Sequence, residues 1–206
     1  TFRVTDFGGA DLVLVLVGAS AAIVAAADLV AEPLASLDRL VPTAIGTVSQ
    51  VPALCYQDDA SGLQLRATVL IAAELAGIAT ATAQQSTQYA KDREQFGTPI
   101  GSFQAVKHRC ADMAVRADAA NSLVRYSAIA VLDGLPDAAF HAHAARVVAT
   151  NAAIENSQIN VQNHGGIGFT YEHTAHRFVT RAQVRSRTVG DLRSHLGGLL
   201  EQPAAL

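Results

Sequence analysis

Short apolar runs broken by Gly or Pro fill the chain up to about residue 52, whereas beyond residue 60 apolar side chains recur at three- and four-residue spacing. The first texture is that of strands joined by turns, the second that of amphipathic helices. Strands are predicted near 12–17, 22–30 and 44–51, punctuated by Gly8-Gly9, Gly18, Pro33, Pro42 and Gly46. The run Leu12-Val13-Leu14-Val15-Leu16-Val17 is continuously apolar, so its pattern hides which face is buried. Residues 12–27 carry no charge between Asp11 and Asp28. A membrane span needs about 20 apolar residues, and Gly18-Ala19-Ser20 falls where a hairpin would turn, so two buried strands are expected and no span.

Asp58-Asp59-Ala60-Ser61 offers side chains that can cap a helix. Leu65, Val69, Ala72, Ala73, Ala76, Ala79, Thr80 and Ala83 then keep helical spacing, which predicts one long helix over 61–92. Pro99, Gly101, Gly134, Pro136, the glycine cluster at 165–168 and Gly190 divide the rest into helices near 103–132, 136–161, 171–187 and 190–201. Strands first and helices after, without alternation, predict an α+β chain: part of a β-sheet domain over 1–57 and an antiparallel four- to five-helix bundle over 58–206. With aromatics at 5% and no Trp, the helices must pack through Ala, Val, Leu and Gly.

Half of the 206 residues are hydrophobic and 16% are charged, which excludes a disordered chain. A formal charge of -3 leaves no basic face for nucleic acid or anionic lipid. Two cysteines, Cys55 and Cys110, are too few for a disulfide scaffold, and a cytoplasmic setting is expected. The first residues lack both an initiator Met and the charged-then-apolar order of a signal peptide.

Several candidate chemistries weaken on inspection. Gly165-Gly166-Ile167-Gly168 follows a helix, not a strand, so it reads as a helix–helix turn before it reads as a dinucleotide fingerprint. His141 and His143 point to different sides of a helix, and His173 and His176 share a face but lack a third ligand, so no metal site is expected. Glu74 is a carboxylate among Ala72, Ala73 and Leu75, where a satisfied interhelical hydrogen bond is the commoner outcome than a catalytic acid or base. Arg93, at the end of the long helix, either complements the helix carbonyls or projects to a phosphate. There is no Gly-x-Ser-x-Gly elbow, P-loop or Ser–His–Asp order.

Two longer segments are more specific in combination: Asp92-Arg93-Glu94-Gln95-Phe96-Gly97-Thr98-Pro99-Ile100-Gly101-Ser102-Phe103-Gln104-Ala105-Val106-Lys107-His108 and Gln162-Asn163-His164-Gly165-Gly166-Ile167-Gly168-Phe169-Thr170-Tyr171-Glu172-His173. Together they resemble the carboxyl-terminal helical domain of acyl-CoA dehydrogenases, and the segment from Thr5 to Pro52 resembles the latter part of that family's middle β-domain. The resemblance does not include the family's amino-terminal helical domain. It implies FAD shared between subunits, with Arg93 reaching the pyrophosphate, Phe96 and Gln104 near the adenosine end, and Gln162, Gly165 and Gly166 in a second contacting turn.

The family removes an α-proton with a Glu carboxylate while hydride leaves the β-carbon for flavin. Where the resemblance puts that Glu, this chain has Val189, and at the family's alternative location it has Ala67. Asp191 and Glu74 are the nearest carboxylates. Thr5 matches a flavin-facing Thr of the middle domain, Arg3 stands where an aromatic is usual, and Thr68, close to Arg66, stands where a CoA-contacting Arg is usual. The resemblance therefore implies no catalytic residue in this chain. It points to a subunit of a heterotetrameric acyl-CoA dehydrogenase, similar to actinobacterial enzymes acting on bulky CoA thioesters such as steroid side chains. A homologous partner would supply the Glu, electron-transferring flavoprotein would accept the electrons, and the isolated chain would be inactive. The alternatives are a fragment of a homo-oligomeric enzyme using Asp191 or Glu74 as base, and a flavin-free scaffold subunit.

Overall fold

The computed structural model describes residues 2–5, 8–47 and 53–202, and the chain divides into two compact units, Thr1–Gln64 and Leu65–Leu206.

The first unit is built from antiparallel strands. β1 (Phe2–Thr5), β4 (Val30–Leu34) and β5 (Thr43–Thr47) form one sheet in the order β1-β5-β4, and β2 (Leu12–Val17), β3 (Ser20–Ala25) and β6 (Cys55–Gln57) form another in the order β2-β3-β6. The uncharged stretch is the expected hairpin: Leu12 pairs with Ala25 and Val17 with Ser20 around Gly18, whose φ of 56° suits a tight turn. Alternation hidden by the apolar run is resolved in space. Val13 and Val15 are buried against Val4, Val24 and Leu29, while Leu12 and Leu14 face outward.

The strand expected over 22–30 is instead β3, a 3-10 turn at Ala26–Asp28 and a new strand, β4. The Ala26 amide still makes a rung of the β2–β3 register, donating to Asp11 O at 2.9 Å, and the break follows it, where Leu29 N closes a turn on Ala26 O. β5 begins as expected, and residues 48–52 lie outside the described set. β1 and β6 are short strands that the sequence pattern does not announce.

The second unit is helical. α1 spans Ser61–Asp92, α2 Gln104–Asp133, α3 Ala138–His164, α4 Ala175–Arg185 and α5 Leu192–Glu201. α1 coincides with its predicted range, and the other ends differ by a few residues. Gly134 in the left-handed conformation ends α2, with Leu135 N returning to Ala130 O. The core is made of small residues: Ala72, Leu75, Ala76 and Ala79 of α1 meet Ala117 and Ala120 of α2, Ala145, Ala149 and Ala153 of α3, and Ala182 of α4. Small side chains let helices approach until backbone carbonyls need side-chain partners. Asn156 of α3 accordingly donates to Ala79 O and Met113 O. α1 is long and apolar enough to cross a membrane by length and composition; its buried stripe, which includes Thr82 and Ser86, packs inside this bundle.

Candidate functional site

α1 and α3 bring both motifs to one end of the bundle. The rings of Tyr89, near the end of α1, and His164, the last residue of α3, stack with centroids 4.2 Å apart. One turn earlier Ser86 donates to Asn160 Oδ1 at 3.0 Å, and Asn160 Nδ2 donates to Gln85 Oε1 at 2.6 Å. Gln85 in turn donates to Thr174 Oγ1, which ties the start of α4 to the same network.

From this end α1 leads into a two-strand hairpin, β7 (Glu94–Gln95) with β8 (Thr98–Pro99). Its central residues, Phe96 and Gly97, have φ of 55° and 77°. Two positive φ values make a tight hairpin turn, and for Phe this is an uncommon conformation. The loop is pressed against α1, since a Cβ on Gly101 would lie 2.9 Å from Ala90 O. Phe96 is 93% exposed, with its ring edge-on to Phe103. Arg93 and Gln104 are exposed as well. Apart from that edge contact, so exposed an apolar ring gains little from burial in the fold.

Beyond α3 the chain makes a short 3-10 helix, Gly165–Phe169. Gly165 has φ 64° and ψ -141°, open only to glycine, and Gly166 faces space that a Cβ would not fill. Gly168 serves the fold, because a Cβ there would lie 2.5 Å from Val161 O. Gln162 is exposed beside Gly166. These donors and openings suit a dinucleotide: a guanidinium for phosphate oxygens, an aromatic face, and backbone a phosphate can approach closely.

Val189 lies between α4 and α5 with φ 56°, strained for a β-branched residue. The turn is clamped by side chains that sequence reasoning did not single out. The guanidinium of Arg146, fully buried in α3, donates to Thr150 Oγ1, Arg185 O, Thr188 O and Gly190 O. His195 of α5 bonds Val189 O at 2.9 Å, so its Nε2 carries the proton, and its Nδ1 faces Nδ1 of His143 at 3.0 Å. Burial pushes the Arg146 pKa down to about 10 and that of His195 down to about 4, the latter helped by the nearby Arg146 and His143.

The two nearest carboxylates are both engaged in structure. Asp191 caps α5, accepting from Ser194 N at 2.8 Å and Ser194 Oγ at 2.6 Å, and these bonds hold its pKa below the usual carboxylate value. Glu74 bridges α1 to α4, 3.3 Å from Arg181 Nη1 and 2.9 Å from Arg185 Nε. It is therefore the satisfied interhelical carboxylate that its surroundings suggest. Thr68 is buried and Arg66 exposed, while Arg3 and Thr5 lie in β1, opposite Ile45 and Thr43. His141 pairs with Asp137, and among the described residues no group of three or more His, Cys, Asp or Glu could hold a metal. The strongest overlooked signals were positional: Tyr89 is one helical turn before Arg93, and His164 directly precedes Gly165.

A unit of antiparallel strands is thus followed along the chain by a helical bundle that carries both loops at one end. Residues 65–196 match the family model described as acyl-CoA dehydrogenase, C-terminal domain, and the chain belongs to that family. It is 40% identical over 158 residues to acyl-CoA dehydrogenase FadE34 of Mycobacterium tuberculosis, covering 75% of this chain and 22% of that protein. Among solved structures, a variant of the Tcur3481-Tcur3483 steroid ACAD superposes with a TM-score of 0.84 and 28% identity over 94% of this chain and 55% of that one. The ChsE4-ChsE5 complex from Mycobacterium tuberculosis gives a TM-score of 0.80 and 28% identity over 99% of this chain and 60% of its counterpart. The chain thus spans well under two thirds of these relatives' lengths.

Proposed function

We propose that this chain is a subunit of a heteromeric, FAD-dependent acyl-CoA dehydrogenase of the cytoplasm that desaturates a CoA thioester, a steroid side chain being the favoured class. Its part is to complete the FAD site. Arg93 holds the pyrophosphate, Phe96 and Gln104 flank the adenosine end, and Gln162 with the Gly165–Gly166 backbone forms the second contact. A homologous partner chain supplies the Glu that removes the α-proton, and electron-transferring flavoprotein takes the electrons. When bound, FAD accepts the hydride from the β-carbon.

The observation that carries this reading is the Tyr89–His164 stack, which gathers both loops at one end of the bundle. Support for a base-less role comes from Val189, where the family's Glu is expected, and from Asp191 and Glu74, each committed to hydrogen bonds or ion pairs. The likeness to the ChsE4-ChsE5 complex and to a steroid ACAD favours a two-chain assembly and a bulky substrate.

The test is to purify the chain alone and with its partner, then record flavin absorbance and acyl-CoA-dependent dye reduction. The expected result is FAD and turnover in the complex only. Turnover by the isolated chain, or a complex without FAD, overturns the reading.

A further inference from the structure

Between the middle of α3, the end of α4 and the start of α5 lies a cavity of about 440 Å³, within the size range of small-molecule sites. None of the residues assigned above to flavin lines it. Ile154, Leu192 and Leu196 give it an apolar surface, and Arg187 and Arg193 give it charge. Leu196 is 44% exposed, so this apolar surface is not closed off by the fold.

The polar groups around the cavity are only partly used within the chain. Arg187 Nη1 donates to Gln183 O at 2.9 Å and to Gln183 Oε1 at 3.1 Å, while its Nε and Nη2 have no partner among the described residues. Arg193, exposed on the first turn of α5, makes no hydrogen bond or ion pair among the described residues. Thr150, also on the lining, is 2% exposed. Its Oγ1 accepts from Arg146 Nη1 at 3.0 Å, and its own proton has no acceptor among the described residues. A buried hydroxyl proton is costly to leave unused, and here a buried guanidinium polarises it further. The one carboxylate on the lining is Asp191, whose Oδ1 already accepts from Ser194 N and Ser194 Oγ. Positive charge therefore prevails: Arg187 and Arg193 on the lining, with Arg146 one hydrogen bond behind Thr150.

This combination selects among ligands. A bare inorganic anion leaves three apolar side chains wet, a neutral apolar molecule leaves the guanidinium donors and the hydroxyl unused, and a cation meets arginines. A planar carboxylate matches the donor fork of a guanidinium, and an alkyl or ring body attached to it covers the apolar lining. We propose that the cavity between α3, α4 and α5 is a binding site for an amphipathic carboxylate, its charge held by Arg193 and Arg187 and its apolar body laid against Ile154, Leu192 and Leu196. The inference does not rest on the flavin reading, and either can fail without the other.

The test is equilibrium dialysis of labelled decanoate, and separately of decanol, against the full chain alone. One decanoate per chain is expected to bind saturably, and decanol about tenfold or more weaker, as loss of a charge-assisted hydrogen bond gives. Two variants at exposed positions keep the fold: Arg187→Gln with Arg193→Gln removes the charge, and Leu196→Glu sets a carboxylate against the ligand's own. Each is expected to weaken decanoate about tenfold, and the arginine variant to leave decanol unchanged. An unaltered melting temperature in each variant ties the loss to the cavity. Decanoate that does not saturate at one per chain, that binds no better than decanol, or that binds both variants as it binds the natural chain overturns the site.

Discussion

The guanidinium of Arg146 lies within hydrogen-bond distance of the carbonyls on either side of Val189, 2.7 Å from Thr188 O and 3.3 Å from Gly190 O. A fully buried cation without a carboxylate is expensive unless dipoles surround it. Here the end of α4 and the following turn supply them. The clamp in turn holds Val189 in a conformation that a β-branched side chain resists.

Replacing Arg146 by Met removes all four of these bonds: Arg185 O keeps the bond from Thr188 N, whereas Thr188 O and Gly190 O lose the guanidinium. Urea denaturation is expected to show a loss of about 3 kcal/mol. A loss below about 1 kcal/mol would mean that water satisfies Thr188 O and Gly190 O in place of the guanidinium.

The opposite sign is expected at the strained residue. Val189→Gly removes the steric cost of the left-handed backbone, and although glycine gains freedom in the unfolded chain, a net stabilisation of about 0.5 kcal/mol should follow. Thermal melting of the two proteins side by side checks it.

Stability should fall on acidification. The folded pKa of His195 is depressed to about 4, so between that value and the unfolded value near 6.5 only the unfolded chain takes up the proton. The neutral pair's contribution is complete above pH 6.5 and declines as the pH drops toward 4, by up to about 3 kcal/mol. His195→Gln, measured by denaturant midpoints across that window, should show a flatter slope.

Glu74→Gln separates two roles for one carboxylate. Its pairs with Arg181 and Arg185 are partly solvent-screened, so the expected cost is about 1 kcal/mol. Dye reduction by the complex should remain within about twofold of the natural value, whereas a loss of a hundredfold or more would reinstate Glu74 as the base.

Exposed Arg93 gives the complementary case. Arg93→Ala should leave the melting temperature of the chain unchanged, since its side chain is solvent-facing, but lower the FAD content of the complex several-fold. Absorbance of the purified complex reads this out.

The three long helices were legible in the sequence because each keeps its periodicity over many turns before a glycine-bearing loop: α1 matches its predicted span from Ser61 to Asp92. The strands were less so. One turn, closed by Leu29 N on Ala26 O, splits what reads as a single run, and β6 has three exposed residues with no periodicity to recognise. Legibility at the loops was of another kind, since Arg93, Phe96 and Gly165 stand out only as parts of motifs. What joins those motifs, Tyr89 on His164, and what clamps the α4–α5 turn, Arg146 and His195, are contacts between residues far apart in the chain. No local pattern encodes such pairs.

The bareness of Phe96, at 93%, is matched by Phe169 at 71% and Tyr171 at 84% on the same end of the bundle. Uncovered aromatic rings are adhesive in water, and an orphaned copy invites clumping and the attention of chaperones and proteases. The abundance of this polypeptide in a cell should therefore track the supply of whatever shields those rings, and making it by itself should give material that precipitates on concentration.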